Sequence, residues 1–297
     1  QSVLLTITPE ASSYLRSGFG TNVGSTMQSC ANVIGADADG LGARICGFVE
    51  STGATPAFLT ALCYLFGIVI GLWALLKIRD HVLNPQQTPV WEGVSRLIVA
   101  GAFLSMPYIA GLIQQSITNG NAFYDTGLNQ FSGYHVVACT GPDPQALDTA
   151  MACFLQDILA PAHILISHFA FIAGLVFIMI GITRIMKSAQ EGARGPGGKG
   201  TLATFLVAGV LLSYNNVLQF FNSSLGIAGQ TDTFAELTYT TGMTPDEVEH
   251  ANIVVQTIIQ FMIIVGLISF VRGWFILRDV AEGNQQASMM AGVTHII

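Results

Sequence analysis

Two apolar runs joined by a short basic loop constrain this chain more than any other feature. Residues 158–186 (ILAPAHILISHFAFIAGLVFIMIGITRIM) and 201–221 are each long enough, at about 1.5 Å per helical residue, to cross roughly 30 Å of hydrocarbon. The loop between them, 187–200, carries Lys187, Arg194 and Lys199 and is too charged to lie in lipid. The pair therefore reads as a helical hairpin in a membrane, spanning 158–222. The composition agrees: 51% of residues are hydrophobic and only 10% charged, with a mean hydropathy of +0.57. The formal net charge of −7, with no basic aromatic stripe, does not suggest a nucleic-acid surface.

The hairpin has relatives within the chain. GIVIGLWALLKIRD at 67–80 and GLISFVRGWFILRD at 266–279 align without a gap, 199 positions apart, and the register runs on to 292–297. At an offset of 107 the central hairpin sets Gly174 against Gly67, Arg184 against Lys77 and Cys153 against Cys46. After one extra loop residue, Gly209 matches Gly101 and Ser213 matches Ser105. Polar residues and a cysteine fall in register with the glycines, so the chain reads as three tandem copies of one unit.

Taken in order, 1–56 is a polar segment containing the short alternating stretch 3–7, a strand or part of an interfacial helix. It has no basic and apolar leader of its own, and Gln1 suits the position after a removed signal peptide. The first hairpin occupies 57–113, with spans 56–76 and 94–113. A polar stretch, 114–157, holds four aspartates and no Lys or Arg. After the central hairpin, 223–252 is again acidic. Its Thr244-Pro245-Asp246-Glu247 predicts a helix that starts before the membrane and enters the fifth span, 253–277. Residues 253–297 then hold that span and the start of a third hairpin. The register further predicts that the chain continues past Ile297 with an apolar run of roughly 20 residues.

The basic residues set the topology. Of eleven Lys and Arg, nine (Lys77, Arg79, Arg96, Arg184, Lys187, Arg194, Lys199, Arg272 and Arg278) lie on one side, and only Arg16 and Arg44 on the other. The positive-inside rule places the basic loops in the cytoplasm, and the N-terminal segment and acidic loops opposite, in a periplasm. Cysteines agree: Cys30 and Cys46 fall in the first outside segment, Cys139 and Cys153 in the second, and Cys63 within a span. Disulfides Cys30–Cys46 and Cys139–Cys153 are expected, each closing a loop of roughly 15 residues and stabilising it by about 3 kcal/mol.

Gly67, Gly71, Gly101, Gly174, Gly181, Gly209, Gly266 and Gly273 suit close helix packing, and Asn215, Asn216 and Gln260 suit interhelical bonds. Arg272 has the length to snorkel from the inner end of its span. For His163 and His168, five residues apart, two readings fit: a proton relay, or an interfacial His163 with His168 bonded to a neighbouring helix. No His is spaced near both cysteine pairs, so no metal site is expected, and no cofactor. No catalytic motif is present; GPGGKGT at 195–201 lacks the phosphate-loop spacing and a preceding strand. The chain does not read as an enzyme.

GVTHII at 292–297 resembles the G-x-T-H-I-I signature of small inner-membrane proteins of type IVB (Dot/Icm) secretion and IncI-type conjugation systems, the IcmC/DotE, IcmD/DotP and DotV-like proteins. The signature residues are Gly292, Thr294, His295, Ile296 and Ile297. The resemblance covers roughly residues 250–297, and the small members carry about one hairpin. It implies an assembly role without catalysis. The expected fold is therefore an all-α membrane protein of about five transmembrane helices in tandem hairpins, two repeats complete and a third cut short, with disulfide-bonded periplasmic segments. The expected function is that of a structural inner-membrane subunit of a secretion or conjugative transfer apparatus. Its partners would be the lipid bilayer and other membrane and periplasmic subunits, in an oligomer that itself binds no nucleic acid. The alternative is a small-solute or ion transporter built from the same hairpins.

Overall fold

The computed structural model describes residues 40–53, 55–83, 90–118, 147–191, 198–224, 242–282 and 288–296. Among them nine helices form and no strand: α1 Leu41–Thr52, α2 Thr55–Leu83, α3 Val90–Leu104, α4 Met106–Thr118, α5 Leu147–Glu191, α6 Gly198–Leu212, α7 Tyr214–Ser224, α8 Pro245–Ala281 and α9 Met289–Ile296. The residues expected to form the 3–7 stretch, together with Arg16, Cys30, Cys139 and Arg194, lie outside the described residues.

Three helices, α2, α5 and α8, are long and apolar enough to cross a membrane. Their burial is the reverse of a soluble helix. On α2 the inward stripe is Pro56, Thr60, Cys63, Gly67 and Ala74, while Phe58, Leu65, Ile68, Leu72, Trp73, Leu75 and Leu76 face outward. Lipid solvates large apolar side chains as well as a core would, so small residues take the helix contacts and bulky ones face out. Of the three, α5 is the most buried. Its Ala170, Phe171, Leu175, Ile178 and Ile182 pack with Val207, Ala208 and Leu211 of α6 and Leu267 and Phe270 of α8 in one core. Each long helix pairs with the segment after it, α2 with α3, α5 with α6 and α8 with α9.

The return runs differ from the expected continuous spans. The run at 94–113 breaks at Ser105 into α3 and α4, bent by 71°. The run at 201–221 breaks at Ser213 into α6 and α7. Both breaks carry the same bonds: Ser105 donates its N–H to Gly101 (2.9 Å) and accepts from Ile109, as Ser213 donates to Gly209 (3.0 Å) and accepts from Val217. At the first break the Ser105 hydroxyl also donates to the Gly101 carbonyl (2.9 Å), and Pro107 follows with no N–H to give. Back-bonding and a proline both bend helices.

Two boundaries also move. The expected outside stretch 114–157 is helical from Leu147, and residues expected in the polar N-terminal segment form α1. The expected early start of the fifth span is present: Thr244 caps α8, its hydroxyl accepting from the Glu247 N–H while the Glu247 carboxylate accepts from the Thr244 N–H (2.7 Å).

Candidate functional site

The expected packing glycines sort by what a Cβ would meet. At Gly67 it would lie 2.8 Å from Leu104 Cγ and 3.1 Å from the Ala100 carbonyl oxygen. At Gly174 it would lie 2.8 Å from Leu212 Cγ and 3.0 Å from the Ala208 carbonyl oxygen. These are the same contacts in the matched register. Gly93 against Ile78 (2.6 Å) is likewise repeated by Gly292 against Leu277 (2.6 Å). Gly181 meets the Phe205 ring at 2.8 Å, and Gly273 meets Ile296 at 2.5 Å. Gly71 leaves room, with Ala100 Cβ at 3.5 Å, and Gly209 is buried. Gly101 and Gly266 do not pack: a Cβ there would meet nothing within 4 Å, because both positions are exposed.

At the end that carries Lys77 and Arg184, charges tie α5 to α8. Arg184 pairs with Glu282 (2.8 Å) and lies 3.5 Å from the Thr204 hydroxyl. Arg278 also binds Glu282, bidentately, and its guanidinium lies 4.6 Å from the Phe177 ring centre. In the first hairpin the matched base, Lys77, instead reaches Glu92 at the start of its own return helix (3.8 Å), and Arg96 joins it (2.5 Å). The difference lies at one position. Where Glu92 stands in the first copy, the second has Gly200. A Cβ on Gly200 would lie 3.4 Å from the Ala281 carbonyl oxygen. With no carboxylate at that position, Arg184 takes Glu282 from α8. Arg272, by contrast, is exposed.

At the opposite end α1 runs alongside α5. The Gly42 N–H donates to the Asp157 carboxylate (2.9 Å), Val49 packs on Ile164, and His168 is bonded to the Thr52 backbone. The two helices are thus parallel at a nearly constant offset of 115 to 116. A Cβ on Gly42 would overlap the Asp157 carbonyl oxygen, so only glycine allows this approach. Farther out, His250 of α8 pairs with Asp148 of α5, and that hydrogen bond holds the Asp148 carboxyl below the usual range.

Cys46 and Cys153 are each disulfide-bonded, and Cys63 is a buried free thiol. The offset of 115 sets Cys46 level with residue 161, eight residues or about 12 Å along α5 from Cys153. A disulfide spans at most about 7 Å between Cα atoms, so Cys46 and Cys153 are not joined to each other.

His163 is buried against the Tyr214 ring (centroids 6.1 Å). Asn215, Thr257 and Gln260 are buried too, and Ser213 and Asn215 lie at the α6–α7 break. The partners of Arg184, Asp148 and Asp157 were not found from sequence. Only Glu282 had a local signal, four residues after Arg278 on a helix; Asp148 and His250 are 102 residues apart.

Of the signature residues, Gly292 is buried on Leu277, Ile296 packs on Gly273, and His295 is half-buried. Thr294 is exposed and donates to the Ala291 carbonyl (3.0 Å). Ile297 lies outside the described residues.

This arrangement defines a class: the described residues are almost wholly helical, and their three long apolar helices are consistent with a multi-pass membrane protein. Comparison with known families, characterised proteins and solved structures finds no match for this chain.

Proposed function

We propose that the chain is a structural inner-membrane subunit of a type IVB-like secretion or conjugative transfer apparatus. The observation that carries this reading is the GVTHII segment, whose Gly292 meets Leu277 as Gly93 meets Ile78 in the first hairpin and whose Ile296 packs on Gly273. The rest of the molecule supports an assembly role. Its polar contacts join helix to helix, and its outer helices project as a platform for other subunits. In this reading the platform is periplasmic, the basic loops are cytoplasmic, and the disulfides are Cys30–Cys46 and Cys139–Cys153. Five membrane segments form tandem hairpins that pack with partner subunits and line a translocation path.

A transporter is the second reading, favoured by the matched breaks at Ser105 and Ser213, since discontinuous helices often build solute sites. Purification in mild detergent followed by reconstitution separates the two. Co-purifying secretion or conjugation subunits and no solute flux support the assembly role. Solute flux by the isolated protein overturns it.

A further inference from the structure

From Leu147 to Arg184, α5 runs for about 55 Å, and from Pro245 to Arg278, α8 runs for about 50 Å. Hydrocarbon takes only about 30 Å of either. The ion pairs of Arg184 and Arg278 with Glu282 fix the inner ends together, so the surplus of roughly 20 Å emerges at the other side. There α5 and α8 form a groove of about 520 Å³, lined by Leu147, Asp148, Met151, His250, Ala251 and Val254. Its apolar walls are open. Leu147 is 77% exposed, Met151 49% and Val254 43%, and Phe154 beside them is 57% exposed. Leu147, Met151 and Phe154 recur at i, i+4 and i+7, one face of a helix.

Lipid accounts for exposed apolar side chains at the level of the spans, but not for Leu147, Met151 and Phe154, which precede the span beginning at residue 158; Val254 lies at the edge of the span 253–277. A contiguous apolar face in water marks a binding surface. Its charge selects the occupant. Asp148 lies in the groove, and Asp246, Glu247 and Glu249 stand exposed at the start of α8. Arg44, the one described basic residue on this side, lies on α1 level with about residue 159. A second copy would bring acidic edges together.

We propose that this groove docks an amphipathic helix of another protein, its apolar face on Met151, Phe154 and Val254 and its basic flank toward Asp246, Glu247 and Glu249. The inference deepens the assembly reading and rests on it for the existence of such a partner. Helix-in-groove recognition of this kind uses apolar anchors at i, i+3 or i+4 and i+7.

The test places the full chain in nanodiscs of phosphatidylcholine and titrates two labelled 18-residue helical peptides, one of leucine and lysine, one of leucine and glutamate. The leucine–lysine peptide is expected to bind well above its level on empty nanodiscs and at least tenfold more tightly than the acidic one. Met151→Asp should reduce that binding at least tenfold. Glu247→Lys with Glu249→Lys, at exposed positions, should abolish the preference for the basic peptide. Equal binding of both peptides, binding no better than to empty nanodiscs, or indifference to Met151→Asp overturns the proposal. So does quenching of a label at Met151→Cys by brominated lipid, which would put the face in the membrane, or disulfide-linked dimers of that variant, which would make a second copy the occupant. None of these outcomes depends on which subunits co-purify, so this proposal and the assembly reading fail separately.

Discussion

One added carbon at Gly174 would fall 3.0 Å from both the Ala208 carbonyl oxygen and the Leu212 backbone nitrogen. Backbone cannot swing away as a side-chain tip can, so Gly174→Ala is expected to force α6 off α5 and cost about 1–3 kcal/mol. Gly101→Ala meets open space and should be neutral or slightly stabilising. Thermal unfolding in detergent compares the two. Sequence shows both as glycines in apolar helices. Which one is covered depends on the face each presents, and the neighbouring helix settles that. Asp148 carries a pH prediction. Its carboxyl is held below the usual range by the hydrogen bond from His250, then by backbone N–H groups. A lowered folded-state pKa means the contribution is present above the ordinary carboxylate value and is lost as pH falls through the lowered one. The α5–α8 pair at Asp148 and His250 should therefore stay closed until pH falls below the ordinary carboxylate range and open only there. The distance between spin labels at positions 150 and 254 reads this, and Asp148→Asn should remove the acid dependence.

The long helices were legible because a run of apolar residues of spanning length has few alternatives in a membrane. The breaks were not. The register aligned Ser105 with Ser213, and Pro107 after the first and Asn215-Asn216 after the second interrupt the apolar runs, yet none of them fixes where or how far a helix turns. What bends the first return helix is local: a hydroxyl bonded back to the Gly101 carbonyl and Pro107 two residues on. Ser105→Ala with Pro107→Ala is expected to straighten it. Two arms of about 22 Å and 12 Å meeting at a 71° bend would open, lengthening the distance between labels at positions 90 and 113 by roughly 6 Å. An unchanged distance would mean that packing against α6 and α7, not the local sequence, holds the bend.

At the scale of the molecule, three similar hairpins must be held in one arrangement, and identical units would not specify one. The asymmetry comes from the carboxylates. The first hairpin satisfies Lys77 from within, through Glu92; the second, with Gly200 in that place, binds Arg184 to Glu282 of α8. The register of Glu92 with Gly200 could be read from sequence, but this exchange could not. It depends on a residue that is missing from the second copy and a partner 98 positions away in the third. Glu282→Ala should leave Arg184 and Arg278 without their shared acid. The side chains are about one-fifth exposed, so the loss falls between the surface and buried limits, about 2 kcal/mol. It should appear as weaker crosslinking between cysteines placed on α6 and at the end of α8. Adding Gly200→Glu restores a carboxylate for Arg184 within its own hairpin, as Glu92 serves Lys77. The added Cβ would lie 3.4 Å from the Ala281 carbonyl oxygen, an ordinary contact. The double variant is therefore expected to regain thermal stability of the second hairpin while the α6–α8 crosslink stays lost. Recovery of the crosslink would show that apolar contacts such as Phe177 on Phe275 set the docking of the third hairpin, and that the carboxylate only follows.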